Sequence, residues 1–358
     1  MISAWFGLAG AAADFAAGWG AAESAPAPSS ANNKYLIMNK RPALILHPRI
    51  AGRKGEPGRT AAHFAGWREG LTKCQRTEHL GNVTNGRQRF LEDYRRIRYA
   101  EGRGSEDPAY YQALPFRDLS GRNPAMWKMR ARTFRYFEQH ILAPLETAAQ
   151  KPLDILDLGA GNGWLSYRMS LRGHRVFAAD IFLDERDGLA ATRHYGNRFA
   201  VVGAEFDQLP FPASRFDLLI FNASLHYSTD YQITLAEARR CLRPEGDLVI
   251  LDSPVYRKRV HGEKMAAERH EEFQKRYGIR SDAIPSIEFL DEPGLADLSR
   301  SLNVQWTVYR PWYGFRWHLR PLQAWFKRRR PPSRFWILVG RFRHTSSQED
   351  RSRIPEGG

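Results

Sequence analysis

The sequence predicts an α/β fold, a Rossmann-like and mostly parallel sheet with helices on both faces. Two observations carry that expectation. The stretch LDILDLGAGNGWLSYRMS, residues 153–170, passes from an apolar run through three glycines into a helical pattern, the strand, turn and helix of a nucleotide-type cradle. Over the next hundred residues or so, further short apolar runs follow in order, separated by loops and a helical stretch, as parallel strands joined by crossovers require.

From its start, the chain reads as follows. Residues 1–88 form an extension of low order. MISAWFGLAGAAADFAAGWGAAESAPAPSSANN is rich in Ala, Gly, Ser and Pro, lacks a basic leader and is interrupted by Asp14, which argues against a signal peptide. Asn32 to Gln88 adds basic residues, Gly and Pro without a sustained apolar period. Helical order is expected from Arg89, where Phe90, Tyr94 and Ile97 or Arg98 share a face. Asn123 and Pro124 start a second helix whose Trp127, Ala131, Phe134, Phe137 and Ile141 line one face and which should end near Pro144. Residues 89–150 are thus a helical leading segment, its aromatics serving the core or the segment folding over the site as a lid. The main domain spans 151–343, and 344–358 reads as a flexible tail.

Within the main domain Asp157 lies near the end of the first strand. Gly159, Gly161 and Gly163 then let the backbone turn tightly and bring its N–H groups close to a ligand. Spacing selects among ligands. A dinucleotide turn reads G-x-G-x-x-G, whereas here G-x-G-x-G precedes Trp164, bulky where the third glycine would fall, and no Lys with Ser or Thr of a phosphate loop follows. A ligand without a pyrophosphate is expected. DLGAGNG resembles the first motif of the class I S-adenosylmethionine (SAM)-dependent methyltransferases, of the type 11 kind.

The resemblance extends through about residue 256. GHRVFAAD, 173–180, reads as a second strand ending in Asp180, where an α/β nucleoside site places an acid on the ribose hydroxyls. RFAVVGAEFDQLPFPASRFDLLIFNASLHY holds a third strand (199–202) and a fourth (216–221). Aligned on Leu209-Pro210-Phe211, Glu205 stands where the family usually has Asp, which implies an acceptor for the adenine amino group; Phe206 would offer its N–H and apolar surface to the ring. TLAEARRCLRPEGDLVILDSPVY resembles the family's helix, Leu-x-Pro-x-Gly turn and fifth strand, with Glu245 at a position that is often glycine. HGEKMAAERHEEFQKRYGI reads as a polar helix burying Met265, Phe273 and Tyr277. NVQWTVYRP and RFWILVGRF read as the last two strands, which in the resembled fold make an antiparallel terminal strand pair. The resemblance implies SAM as methyl donor, held by Asp157, Gly159, Ala160, Gly161, Asn162, Gly163, Asp180, Ile181, Glu205, Phe206 and Asn222.

SAM carries its methyl on a sulfonium that is attacked in line, so the protein's task is to hold donor and acceptor in near-attack geometry with water excluded. That chemistry needs no metal, and the eleven histidines are scattered without metal-ligand spacing. After the fourth strand, NASLHY places Asn222, Ser224, His226 and Tyr227 at the carboxyl edge, where open α/β sheets bind ligands. His226 is the candidate base, with Tyr227 beside it; a satisfied structural histidine is the other reading. The Asn/Asp-Pro-Pro-Tyr of amine methyltransferases is absent. Helices before the first strand and after the fifth could cover a compact pocket, so the expected acceptor is a small molecule or lipid-linked metabolite, with an RNA methyltransferase or a non-catalytic SAM-binding scaffold protein as the alternatives.

Charge adds a further expectation. The net charge is +15, and residues 310–343 hold ten Lys/Arg, no Asp or Glu, and nine aromatics. Such a mixture suits an anionic membrane surface, a nucleic acid or an anionic substrate, or is simply a solvated basic edge. No RNA-binding module is recognisable, so nucleic acid is the less favoured partner. Two distant cysteines, Cys74 and Cys241, suggest a reducing, cytoplasmic setting, peripheral to a membrane if the basic segment docks on one.

Overall fold

The computed structural model describes residues 81–280 and 282–343; most of the expected N-terminal extension and all of the expected tail lie outside the described residues. Among the described residues four α-helices precede the sheet, the first three being α1 (Gly81–Ala100), α2 (Pro108–Ala113) and α3 (Pro124–Phe137). α1 begins ahead of the expected Arg89, and its Ile97 is fully buried, with Phe90 and Tyr94 half-buried. α3 buries Trp127, Ala131, Phe134 and Phe137, as its period requires.

The helical run does not stop at Pro144. A π turn over Glu138–Leu142 lets the Ala143 N–H donate to the Glu138 carbonyl, and α4 (Ala143–Ala149) continues with Pro144 in its first turn, the position where a helix best tolerates a proline. The run ends at Gln150, in the left-handed region at φ 51°. The expected boundary was wrong because a proline that interrupts one α ladder can open the next.

The remaining elements are β1 (Asp154–Leu158), α5 (Trp164–Leu171), β2 (Arg175–Asp180), β3 (Ala200–Gly203), β4 (Phe216–Asn222), α6 (Tyr231–Cys241), β5 (Leu242–Leu251), β6 (Val255–Tyr256), α7 (Arg259–Tyr277), β7 (Leu290–Asp291), α8 (Glu292–Leu302), β8 (Val304–Tyr309), α9 (Phe315–His318), α10 (Arg320–Phe326) and β9 (Ile337–Phe342). The sheet order is β3-β2-β1-β4-β5-β9-β8. β1 to β5 pair in parallel, and β9 is antiparallel to both β5 and β8.

The period-2 alternation of the parallel strands divides the core into two layers. Ile155, Leu218 and Val249 pack with Phe134, Trp164 and Met169 on one face; Leu156, Leu219 and Leu248 pack with Leu235, Leu295 and Leu298 on the other. Met265 and Phe273 of α7 are buried as expected, while Tyr277 is half-buried. The Leu-x-Pro-x-Gly turn is a swelling inside β5: Leu242 pairs with Phe216, the next pairing joins Asp247 to Leu218, and residues 243–246 leave the ladder. The sequence reading missed α8 and the short β6–β7 pair, although Asp291 caps α8 through the Gly294 N–H at 2.8 Å, with Pro at the helix start.

The chain leaves β1 toward β2 and β3 on one side and returns to β4 and β5 on the other. A crevice therefore opens at the carboxyl ends of β1 and β4, where the strand order reverses. Among the described residues no helix is long and apolar enough to cross a membrane.

Candidate active site

The buried β1 run delivers the chain into Gly159 at φ 72°. A side chain there would be strained in the left-handed region, and its Cβ would fall inside the Ser224 side chain, whose Oγ donates to the Leu158 carbonyl at 2.5 Å. Ser224 thereby clamps the end of β4 onto the turn. Gly159, Ala160, Gly161 and Asn162 line a cavity at the crevice, with the Asn162 amide donating to Asp187 at 3.2 Å.

Two residues expected in the cofactor set lie outside that cavity wall. Gly163 packs where a Cβ would meet Thr192 and Phe199. Asp157 is buried behind the turn, accepts from Ser166 Oγ at 2.7 Å and so ties β1 to α5; burial pushes its carboxyl up to about 7.

Asp180 ends β2 beside the glycine turn. Its Oδ2 accepts from the Gly161 N–H at 2.7 Å and its Oδ1 from the Phe182 N–H at 2.8 Å. Burial raises its pKa, and the backbone donors oppose that shift. An ionised carboxylate offers about four acceptor positions, so capacity remains toward the cavity, which Ile181 and Phe182 also line. Across from them, Glu205 is ion-paired with Arg87 of α1, and burial raises its pKa. Phe206 lines the wall, packed edge-on against Phe221 at 5.4 Å between centroids. Asn222, at the end of β4, is buried with its Oδ1 lacking a hydrogen-bond partner.

The far end of the cavity is built from several elements. His226 is buried with Nδ1 3.4 Å from Ser253 Oγ, and its carbonyl accepts from the Glu288 N–H at 2.8 Å. Burial, with the charges of Arg269 and Arg130 adding, drives its pKa well below the ordinary value, so the imidazole is neutral at pH 7. Tyr227 is held neutral by a pKa raised through burial, and its ring meets Tyr94 of α1 edge-on at 5.8 Å. Asp252, just past β5, accepts from Thr133 Oγ1 at 2.7 Å. Trp127 and Arg130 of α3 and Arg98 of α1 complete this end.

Of the α1 and α3 aromatics, Tyr94 and Trp127 line the cavity, and Trp127 is also part of the core. The sequence reading missed Arg87, Arg98, Arg130 and Asp252. No local signal marks them, since each reaches the site through tertiary packing. Among the described residues, no group of three or more His, Cys, Asp or Glu side chains is placed to hold a metal ion.

SAM fits this arrangement in three respects: a turn that admits no side chain at Gly159, an acid at the end of β2, and an orphaned acceptor on Asn222. A family model described as a methyltransferase domain matches residues 156–250. The ubiquinone/menaquinone biosynthesis C-methyltransferase UbiE of Shewanella frigidimarina is 34% identical over 125 residues, 33% of this chain and 49% of that protein. The malonyl-[acyl-carrier protein] O-methyltransferase of Hahella chejuensis is 33% identical over 103 residues, 27% of this chain and 36% of that one. The chain thus spans about half or less of the curated relatives' length. A solved structure of a 1,6-didemethyltoxoflavin-N1-methyltransferase from Burkholderia thailandensis, with bound 1,6-didemethyltoxoflavin and S-adenosylhomocysteine, aligns with a TM-score of 0.41 at 19% identity, over 75% of this chain and 94% of that one. The family-model match takes in the glycine turn, Asp180, Glu205 and Asn222, so residues 156–250 are similar to methyltransferase domains.

Proposed function

We propose that the protein is a SAM-dependent methyltransferase acting on a small-molecule or lipid-linked acceptor by in-line transfer. The carrying observation is the junction of the Gly159 turn with Asp180 and Asn222 at the β1–β4 switch point. SAM bound there supplies an electrophilic methyl group. The backbone of Gly159 to Gly161 approaches the cofactor, Asp180 accepts from the ribose hydroxyls, Glu205 from the adenine amino group, and Phe206 covers the ring. The leading segment, 89–150, acts as the lid that excludes water, with Phe90, Tyr94 and Arg98 reaching the cavity from α1. A quinone-pathway C-methyltransferase and a carrier-protein O-methyltransferase among the relatives accord with a small or carrier-bound acceptor.

Calorimetry tests the cofactor assignment: S-adenosylhomocysteine is expected to bind the metal-free protein one to one, and binding of NAD in its place rejects the proposal. His226 is assigned as the base, since burial holds it in the neutral state a base needs before transfer. The same burial and the nearby Arg269 and Arg130 charges oppose the imidazolium that proton removal creates. His226→Ala is expected to lower turnover by about 10²-fold with S-adenosylhomocysteine affinity unchanged. Unaltered turnover returns His226 to a structural role, holding the segment between Ser253 and Glu288.

We further assign a peripheral, cytoplasmic-side contact with an anionic membrane surface to residues 310–343. Phe315 is 78% exposed, Trp325 and Phe326 are 70% exposed, and Trp312 is 56% exposed. Leu319 and Leu322 are exposed between them, and the charges of Lys327, Arg328 and Arg329 follow directly. Aromatic and leucine side chains left to solvent beside clustered cations are the composition of an interfacial anchor.

A further inference from the structure

Three arginines reach the cavity wall: Arg87 and Arg98 from α1, and Arg130 from α3. Two of them hold acids, Arg87 on Glu205 and Arg98 on Asp187. Arg130 differs. Among the described residues it makes no ion pair, and its Nε is buried without a hydrogen-bond partner. Its guanidinium carbon lies 5.3 Å from the centroid of the Trp127 ring, a contact that orients the group without satisfying its N–H donors. The acid that most favours its charge, Asp252, accepts from Thr133 Oγ1 and, among the described residues, makes no ion pair with Arg130.

Burial above all, with Arg103 and Arg98 adding, pushes the Arg130 guanidinium down to about 10, so it remains a cation at pH 7. A buried guanidinium N–H without an acceptor is costly, and Arg130, half-buried on the cavity wall, presents a planar fork of donors, the group best matched to a carboxylate. Its position narrows the partner. Trp127 meets Trp164, the residue after the glycine turn, at 6.1 Å between ring centroids, while the Arg130 charge acts on His226 and Asp252 at the ends of β4 and β5. Arg130 therefore stands between the cofactor turn and the His226 end of the cavity, where the proposed base lies.

We infer that Arg130 is a carboxylate receptor at the methyl-transfer end of the cavity, an inference that rests on the methyltransferase reading. The carboxylate belongs either to the amino-acid part of the cofactor or to the acceptor. In both cases Arg130 fixes one end of a reactant, and Trp127 stacks behind it to hold the guanidinium plane.

The experiment begins with wild-type protein and S-adenosylhomocysteine. Failure to bind overturns the methyltransferase reading and this inference with it. With binding established, Arg130→Gln is compared for S-adenosylhomocysteine, for 5′-methylthioadenosine, which lacks the carboxylate, and for benzoate titrated into the S-adenosylhomocysteine-saturated protein. A loss of about tenfold or more for S-adenosylhomocysteine, with 5′-methylthioadenosine unchanged, supports the cofactor as source. Unchanged S-adenosylhomocysteine affinity with loss of wild-type benzoate binding supports the acceptor as source. Wild-type behaviour of Arg130→Gln toward all three ligands overturns the inference while leaving the methyltransferase reading intact. A second measurement guards against a purely structural role: Arg130→Met, which removes the charge at similar volume, is expected to raise the melting temperature of the ligand-free protein. A clear fall assigns Arg130 to packing and overturns the inference.

Discussion

Asp180→Ala is expected to weaken S-adenosylhomocysteine binding by about two orders of magnitude or more. Hydrogen bonds to a charged partner contribute roughly 1.5–3 kcal/mol each, and a ribose edge presents two hydroxyls to this carboxylate. A second effect adds to the first. The Asp180 side chain also accepts from the Gly161 and Phe182 N–H groups at 2.7 and 2.8 Å, so its removal releases the glycine turn from the end of β2. Asp180→Asn keeps the shape and one acceptor oxygen, and is expected to fall between wild type and the alanine variant. Melting temperatures measured alongside separate a loosened turn from a lost contact: Asp180→Asn with a wild-type melting temperature and reduced affinity isolates the ligand contact. Wild-type affinity in Asp180→Ala would place the ribose elsewhere.

The second large effect concerns the surface that α9 and α10 present. Converting Lys327, Arg328 and Arg329 to Gln is expected to weaken binding to phosphatidylserine-containing vesicles by about two orders of magnitude, at about 1 kcal/mol for each basic residue near an anionic surface. Arg330 is left intact, because it is engaged by Glu268 at 2.6 Å and by the Tyr256 hydroxyl at 3.2 Å, and its loss would disturb the contact with α7. Changing Trp325 and Phe326 to Ser should remove the part of the binding that survives high salt, since burial of apolar area is not screened. RNA makes the opposite demand. A steep log-linear fall of affinity with salt, with no salt-resistant remainder, would point to phosphate neutralisation and an RNA partner. Equal vesicle binding by wild type and the triple variant, or none by either, would leave this segment as a solvated edge.

Those two experiments draw on different kinds of information. The glycine turn, Asp180 and the alternation of strands with connecting segments were legible in the chain, because each depends on residues near in sequence: a run of apolar side chains, a turn that only glycine tolerates, an acid at a strand end. The same local logic erred at Pro144, where a π turn carried the helical run onward, and it missed β6 and β7, each too short to carry a period. It expected Asp157 and Gly163 with the cofactor, whereas neither lines the cavity: Asp157 accepts from Ser166, and a Cβ at Gly163 would meet Thr192 and Phe199.

Local pattern was thus enough to establish a parallel α/β sheet, the position of its ligand crevice and the acid at the end of β2, since strand, turn and cap preferences are short-range. Tertiary structure alone decided which charges face the crevice. Arg87 and Arg98 on α1, Arg130 on α3 and Asp252 beyond β5 come from distant segments, and whether each is paired depends on which acid packing brings within reach. It also separated the basic residues of 310–343 into held and free. Arg330, Arg334 and Arg341 are tied to Glu268, Glu292 and Asp247, while Lys327, Arg328 and Arg329 stand exposed beside Trp325 and Phe326. The physical reason is that an ion pair requires two charges within about 4 Å, a relation that residue order does not contain and that only the packed chain creates.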